Sequence, residues 1–181
     1  AYHEAGHALV QTKLPNCDPI HKVSIVARGM NLGYTMALPV QDRYLYAQDK
    51  FEDDIAGMLG GRAAEERVCD DRWTGANDDL EKATKLARKM VTAYGMSKRL
   101  GPLTFGDREE MVFLGREIAE QRNYSEEVAE EIDQEVQRII EEAYNRAKSI
   151  LTTYRQKLQA VALRLIEVET IEREEFEAMV A

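Results

Sequence analysis

Two histidines and a glutamate lie within five residues at the start of the chain, as His3, Glu4 and His7. On a helix, residues four apart lie on one face about one turn from each other, so both imidazoles point the same way. Two imidazoles arranged in this way can bind one zinc ion at about 2.0–2.1 Å each. Glu4 can then reach a water on the metal and act as its general base. The pattern therefore favours metal-assisted hydrolysis of a peptide bond.

Chance is a poor explanation for two histidines four residues apart with a glutamate after the first, because the chain has only three histidines. The alternative interpretation is a pair of structural histidines on an ordinary helix. Gly6 lies between them, and a glycine inside a helix costs up to about 1 kcal/mol relative to alanine. We therefore expect the backbone at Gly6 to approach another element closely.

A third metal ligand must come from elsewhere in the chain. Val10 and Lys13 occupy the positions where metzincins carry glycine and histidine, so that class of peptidase is excluded. Spacing alone leaves several candidates open. These are His21, which we interpret as a surface residue, and the carboxylates Glu65, Glu66, Asp70, Asp78 and Asp79.

The elements that must position these residues are mostly helical. Apolar periodicity predicts a first helix over residues 1–13, which ends near Pro15. Ser125 is a predicted N-cap, with Glu126 and Glu127 in the first turn, where the helix dipole favours anions. The further predicted helices cover residues 49–68, 78–94, 125–154, a stretch reaching 167, and a last short helix that Thr170 caps.

One β-hairpin interrupts the helices. Residues 22–28 and 32–38 each alternate between apolar and polar side chains, and residues 29–31 between them suit a short turn. Two strands alone are marginally stable, so we expect the hairpin to pack on helices or on a partner chain.

The composition is that of a soluble domain: 181 residues, 44% hydrophobic and 31% charged. The net charge is −9, which leaves no basic surplus to replace the counterions of a nucleic acid, so we expect no such partner. No apolar run approaches the roughly 20 residues that span a bilayer. We predict a single soluble domain over residues 1–181, with a metal-binding part over 1–95 and a helical part over 96–181.

Several longer motifs, taken together and in this order, resemble the peptidase domain of the FtsH family, the membrane-anchored AAA+ zinc proteases. The resemblance covers nearly the whole chain. The motifs are His3-Glu4-Ala5-Gly6-His7, the segments 60–66 and 74–80, Tyr94-Gly95-Met96-Ser97, the segments 100–103 and 113–115, the segment 123–127 and Glu169-Thr170-Ile171.

The resemblance implies a third zinc ligand. In that family it is the aspartate of a Gly-Ala-x-Asn-Asp-(Ile/Leu) stretch, which corresponds to Asp79 here, before Leu80. The resemblance therefore favours Asp79, with Glu66 second. The family usually has asparagine where this chain has Asp78. Glu65 and Glu66 would lie near the metal helix, where one of them can orient an imidazole; the alternative is an exposed acidic pair.

The resemblance also implies a fold and a biological setting. The fold is mainly α, with a small β-hairpin and a C-terminal helical bundle. The implied activity is zinc-dependent endoproteolysis of unfolded, misfolded or membrane proteins, which an upstream AAA+ ATPase ring feeds to a homohexamer. The parent protein would be anchored in a bacterial inner, mitochondrial inner or thylakoid membrane.

A second hypothesis treats the chain as a helical oligomerisation scaffold without catalysis, in which zinc is structural or absent. A structural zinc site prefers four protein ligands, whereas a catalytic site has three and keeps one position for water. The number of protein ligands therefore separates the two hypotheses.

Overall fold

The computed structural model describes residues 1–27, 33–38, 45–69, 74–106 and 123–181. These residues form helices around a small sheet, which confirms the predicted mainly-α fold. The helices are α1 (Tyr2–Lys13), α2 (Gln48–Cys69), α3 (Asn77–Thr92), α4 (Glu126–Thr153), α5 (Arg155–Val168) and α6 (Arg173–Val180), and the strands are β1 (Ile20–Ser24), β2 (Tyr34–Ala37) and β3 (Thr170–Glu172).

Helices α1 and α2 cross with their backbones in close approach. A Cβ atom added to Gly6 would lie 2.5 Å from the carbonyl oxygen of Gly60, and one added to Gly60 would lie 2.8 Å from the carbonyl oxygen of Gly6. Neither position has room for a side chain, because the obstacle is main chain on both sides. The close approach predicted for Gly6 is confirmed, and it explains why a helix tolerates glycine there.

The sheet is antiparallel in the order β2-β1-β3. Strands β1 and β2 confirm the predicted hairpin, although both are shorter than predicted and β1 begins at Ile20, two residues before its predicted start. The predicted turn at residues 29–31 lies outside the described residues. Val23 pairs with Thr35 on one side and with Ile171 on the other. Val23 and Ile171 are fully buried, so this face of the sheet packs on the helices.

The C-terminal segment corrects one prediction. Thr170 does not cap a helix: it opens strand β3, and α6 begins only at Arg173. The last residue before β3, Glu169, has a left-handed φ of 60°. Its carbonyl oxygen accepts a hydrogen bond from the amide of Ile25. The turn at Glu169 thus carries the chain from the end of α5 back to β1.

The helices α4 and α5 pack on the first three helices. Helix α4 lies against α2 and α3, and α5 lies against α1. The predicted N-cap is confirmed, since the Ser125 hydroxyl accepts a hydrogen bond from the amide of Val128. The buried Asp53 on α2 accepts hydrogen bonds from Asn16 and from Arg146 of α4, which joins three parts of the chain.

No helix in the described ranges combines the length and apolarity needed to cross a bilayer.

We predict that Gly60→Ala lowers the free energy of unfolding by about 1–3 kcal/mol, because the new Cβ would clash with the main chain of Gly6 and His7. This loss exceeds the gain in helix propensity, which is at most about 1 kcal/mol. Urea denaturation followed by circular dichroism measures it. The control is Gly75→Ala, where a Cβ meets nothing within 4 Å; equal stability of the two variants would contradict the clash.

Candidate metal centre

Helix α1 presents His3 and His7 side by side, and helix α3 places Asp79 opposite them. The Nε2 atoms of the two histidines are 3.0 Å apart. Each of them lies 3.1 Å from Oδ2 of Asp79. In the part of the chain that the structure describes, these three residues form the one group of three or more His, Cys, Asp or Glu side chains with metal-binding geometry.

The start of helix α3 explains the position of Asp79. Asn77 is the first residue of α3, so Asp79 lies in its first turn, where unpaired N–H groups and the helix dipole stabilise an anion. Its neighbour Asp78 is more exposed and forms an ion pair with Lys82, with Oδ2 and Nζ 2.5 Å apart. Successive helical residues differ by about 100° in direction, so only one of the two aspartates can face α1.

The tautomer of His7 is set by the main chain of α2. Its Nδ1 donates to the carbonyl oxygen of Gly57 at 2.8 Å, and a carbonyl can only accept. The amide of Gly61 is farther from the same nitrogen, at 3.3 Å, so the shorter carbonyl contact decides the tautomer. The proton on Nδ1 leaves the lone pair on Nε2, which faces His3 and Asp79.

His3 has an equivalent partner in a carboxylate. Its Nδ1 donates to Oε1 of Glu65 at 3.0 Å, so its Nε2 also presents a lone pair when the ring is neutral. The other oxygen, Oε2 of Glu65, is buried and has no hydrogen-bond partner among the described residues. Of the two interpretations of Glu65, this contact favours the one in which the carboxylate orients an imidazole.

The three facing atoms are all acceptors when both rings are neutral, and such atoms repel one another at 3.0–3.1 Å. A proton or a metal cation between them removes the repulsion. Burial lowers the pKa of His3, but the hydrogen bond that the protonated ring donates to Asp79 and the charges of Glu65 and Glu4 outweigh it and raise the pKa overall. Burial likewise opposes ionisation of Asp79, yet its hydrogen bonds with His3 and His7 hold its pKa far below the usual range. Asp79 is therefore a carboxylate at neutral pH.

The group is open on one side. The side chains of His3 and Asp79 are 20% and 22% exposed, whereas that of His7 is 9% exposed. Solvent and a ligand can reach the cluster from the side of His3 and Asp79. This differs from a closed structural metal site, in which protein atoms surround the ion completely.

Gly61 on α2 leaves the space that the two rings occupy. A Cβ atom at this position would lie 2.5 Å from Nε2 of His7 and 2.7 Å from Cε1 of His3. Both obstacles are side-chain atoms, unlike those at Gly60. A side chain at Gly61 would therefore displace the imidazoles and leave the helix crossing in place.

The other candidates from the sequence lie elsewhere. Glu66 binds Tyr144 and Lys148 of α4 and is absent from the group of three. His21 on β1 is exposed, as predicted. Asp70 lies outside the described residues.

Sequence reasoning missed two contacts around this centre. One is the carbonyl of Gly57, which no side-chain pattern reveals. The other involves Glu4, whose Oε2 accepts a hydrogen bond at 2.9 Å from the hydroxyl of Thr35 on β2. The signal available for it was the alternation of residues 32–38, which puts Thr35 on the opposite face from Tyr34 and Met36.

The chain is similar to known proteins over almost its whole length. The family model for peptidase family M41 matches residues 1–179. The chain belongs to peptidase family M41. The match runs from α1 through the segment around Asp79 and into α6.

The relatives of this M41 chain are longer proteins. ATP-dependent zinc metalloproteases FtsH 1 of Sphaerobacter thermophilus and of Thermomicrobium roseum are 59% and 58% identical to it, each over 99% of the chain. An FtsH 1 of a Thermoanaerobacter species is 57% identical over 98% of the chain. The chain spans 27%, 28% and 29% of the length of these three relatives.

We predict that Gly61→Ala strongly reduces metal binding while the chain remains folded, because the new Cβ would push both imidazoles out of position. Metal content after dialysis against zinc, measured by elemental analysis, tests this together with a thermal melt. Gly75→Ala is again the control. Full zinc content in Gly61→Ala would show that the rings need not occupy their present positions.

Proposed function

We propose that this chain is the zinc-dependent endopeptidase part of an ATP-dependent protease, with His3, His7 and Asp79 as zinc ligands and Glu4 as general base. The observation that carries the proposal is the group of two Nε2 atoms and one carboxylate oxygen at 3.0–3.1 Å from one another. Membership of the M41 family and the names of the relatives support it.

The donor set fits zinc. Two imidazole nitrogens and one carboxylate oxygen are typical ligands of a catalytic zinc ion, and three protein ligands leave a fourth position open. Tetrahedral ligands at about 2.0–2.1 Å lie roughly 3.3–3.4 Å from each other, slightly more than the separations found here. Only small side-chain shifts are needed to admit the ion.

Zinc in this place would supply a Lewis acid that makes water nucleophilic near neutral pH and polarises the scissile carbonyl. The side chains of this chain have separate tasks. Glu4 takes the proton that the attacking water loses and delivers it to the nitrogen of the leaving amine. Gly57 and Glu65 hold the Nδ1 protons of His7 and His3, so that both Nε2 lone pairs stay directed at the metal position.

The substrate we propose is an extended, unfolded polypeptide. Strand β2 lies at the end of the sheet order, and in the described residues it pairs only with β1, so its other edge can accept a further strand. Thr35 of this strand contacts Glu4, which places the edge beside the proposed base. A peptide added there is held mainly by backbone hydrogen bonds, which gives affinity with little sequence preference.

The remaining elements of the function come from the family resemblance and the relatives' names. We propose that residues 1–181 act as one peptidase domain within a membrane-anchored homohexamer. An AAA+ ATPase domain elsewhere in the longer protein would deliver unfolded, misfolded or membrane proteins to it.

We predict that Glu4→Gln retains zinc but cleaves unfolded casein at least about 100-fold more slowly, because the amide cannot accept the proton. Zinc content and the release of casein fragments are measured on the same samples. Glu81→Gln, at an exposed position that pairs with Lys85, serves as the control. Cleavage by Glu4→Gln at the rate of the unmodified chain would reject the mechanism.

We predict that Asp79→Asn weakens zinc binding more than about 100-fold, a larger effect than loss of a group that only orients a ligand. Competition with a chelator measures the affinity. Asp78→Asn is a closely matched control, since it makes the same change one residue away on a side chain that pairs with Lys82. We expect little effect from it or from Glu66→Gln. The reverse ranking would mean that the third ligand is misassigned.

A further inference from the structure

The carboxylate of Glu4 has a defined partner on the sheet. The hydroxyl of Thr35 lies 2.9 Å from Oε2 of Glu4 and 3.2 Å from the main-chain oxygen of the same residue. The hydroxyl therefore contacts both the carboxylate and the main-chain carbonyl of Glu4. This hydrogen bond links strand β2 directly to helix α1.

The register of the sheet makes this contact a fixed one. Thr35 pairs with the fully buried Val23 of β1, which in turn pairs with the buried Ile171 of β3. Residues opposite one another in neighbouring strands point to the same face. The Thr35 side chain is thereby directed towards α1, and a slip of one residue would turn it away.

Gly33, just before β2, adds a second restriction. A Cβ atom there would lie 2.9 Å from Oε1 and 3.0 Å from Cγ of Glu4. The backbone at Gly33 thus packs against one side of the carboxylate, while the Thr35 hydroxyl binds the other oxygen. The side chain of Glu4 has little freedom between them.

We propose that Thr35 is the positioning residue for the general base Glu4, an inference that rests on the proposed function. A glutamate side chain has several rotatable bonds and loses considerable entropy when it is ordered. The Thr35 hydroxyl holds Oε2, so the side chain of Glu4 is already ordered before substrate binds. Oε1 remains to receive the proton. Because Thr35 belongs to the edge strand, the same element would align the peptide and the base.

The test compares Thr35→Val with Thr35→Ser in the full 181-residue chain loaded with zinc. Valine has nearly the shape of threonine without its hydroxyl, whereas serine keeps the hydroxyl. We expect Thr35→Val to lower kcat by about ten- to a hundredfold, the effect typical of losing a hydrogen bond to a charged group. KM for an internally quenched casein-derived peptide and the zinc content should stay within about twofold of the unmodified chain. Thr35→Ser should recover most of kcat.

A crystal structure of Thr35→Val provides a readout other than activity. The Glu4 carboxylate should leave the position it has in the unmodified chain, while His3, His7 and Asp79 keep theirs. The control is Thr12→Val on α1, whose hydroxyl bonds only to the carbonyl oxygen of Ala8 in the described structure. It makes the same chemical change on the helix that carries Glu4 and should leave kcat unaltered.

Glu4→Gln, assayed in parallel, distinguishes failure of the positioning role of Thr35 from failure of the proposed function. If Glu4→Gln is inactive and Thr35→Val retains full kcat, the positioning role is wrong and the proposed function stands. A loss in Thr35→Val that serine fails to restore also overturns the role of the hydroxyl. If the zinc-loaded chain does not cleave the peptide, or Glu4→Gln cleaves it equally well, the proposed function fails and this inference fails with it.

Discussion

The contact between the backbones of α1 and α2 is the constraint on which the site depends. Gly6 and Gly60 let the two helices approach until main-chain atoms touch, and Gly61 then leaves a space just large enough for two imidazole rings. The same proximity brings the carbonyl of Gly57 within hydrogen-bond distance of His7 and the carboxylate of Glu65 within reach of His3. A wider crossing would deprive both rings of these partners, so the packing of two helices sets the tautomers of two side chains.

Electrostatics and packing act together at this point. The structure gathers two nitrogen lone pairs, the ionised Asp79 and the carboxylate of Glu65, whose Oε2 is buried, in one place. Such an accumulation of acceptors and negative charge is unfavourable unless a positive centre joins it. The positive end of helix α3 compensates part of the charge on Asp79. The rest of the arrangement suits a divalent cation, and this is why the geometry favours a metal centre over a structural histidine pair.

The sequence was sufficient to predict the main helices, the hairpin and the position of His3 and His7 on one face of α1, because these depend on local periodicity and spacing. It was insufficient where neighbouring residues of the same type face different partners. Glu65 and Glu66 differ by about 100° around α2, and only the packing decides that the first meets His3 and the second meets α4. Strand β3 has three residues and is a strand only because β1 lies beside it. The preference for Asp79 over Glu66 came from the resemblance to a family, since spacing alone left both open.

The place of β3 in the sheet affects the order in which the molecule can fold. Strand β1 hydrogen-bonds to β2, which follows it closely in the chain, and to β3, which lies almost 150 residues later. The reversal at Glu169 that brings β3 back is made only after α1 to α5 have been synthesised. Until then β1 lacks one of its neighbours, and the strand that holds Thr35 against Glu4 rests on an incomplete sheet. A nascent chain would therefore complete the support for the contact between Thr35 and Glu4 only after α5 has been made.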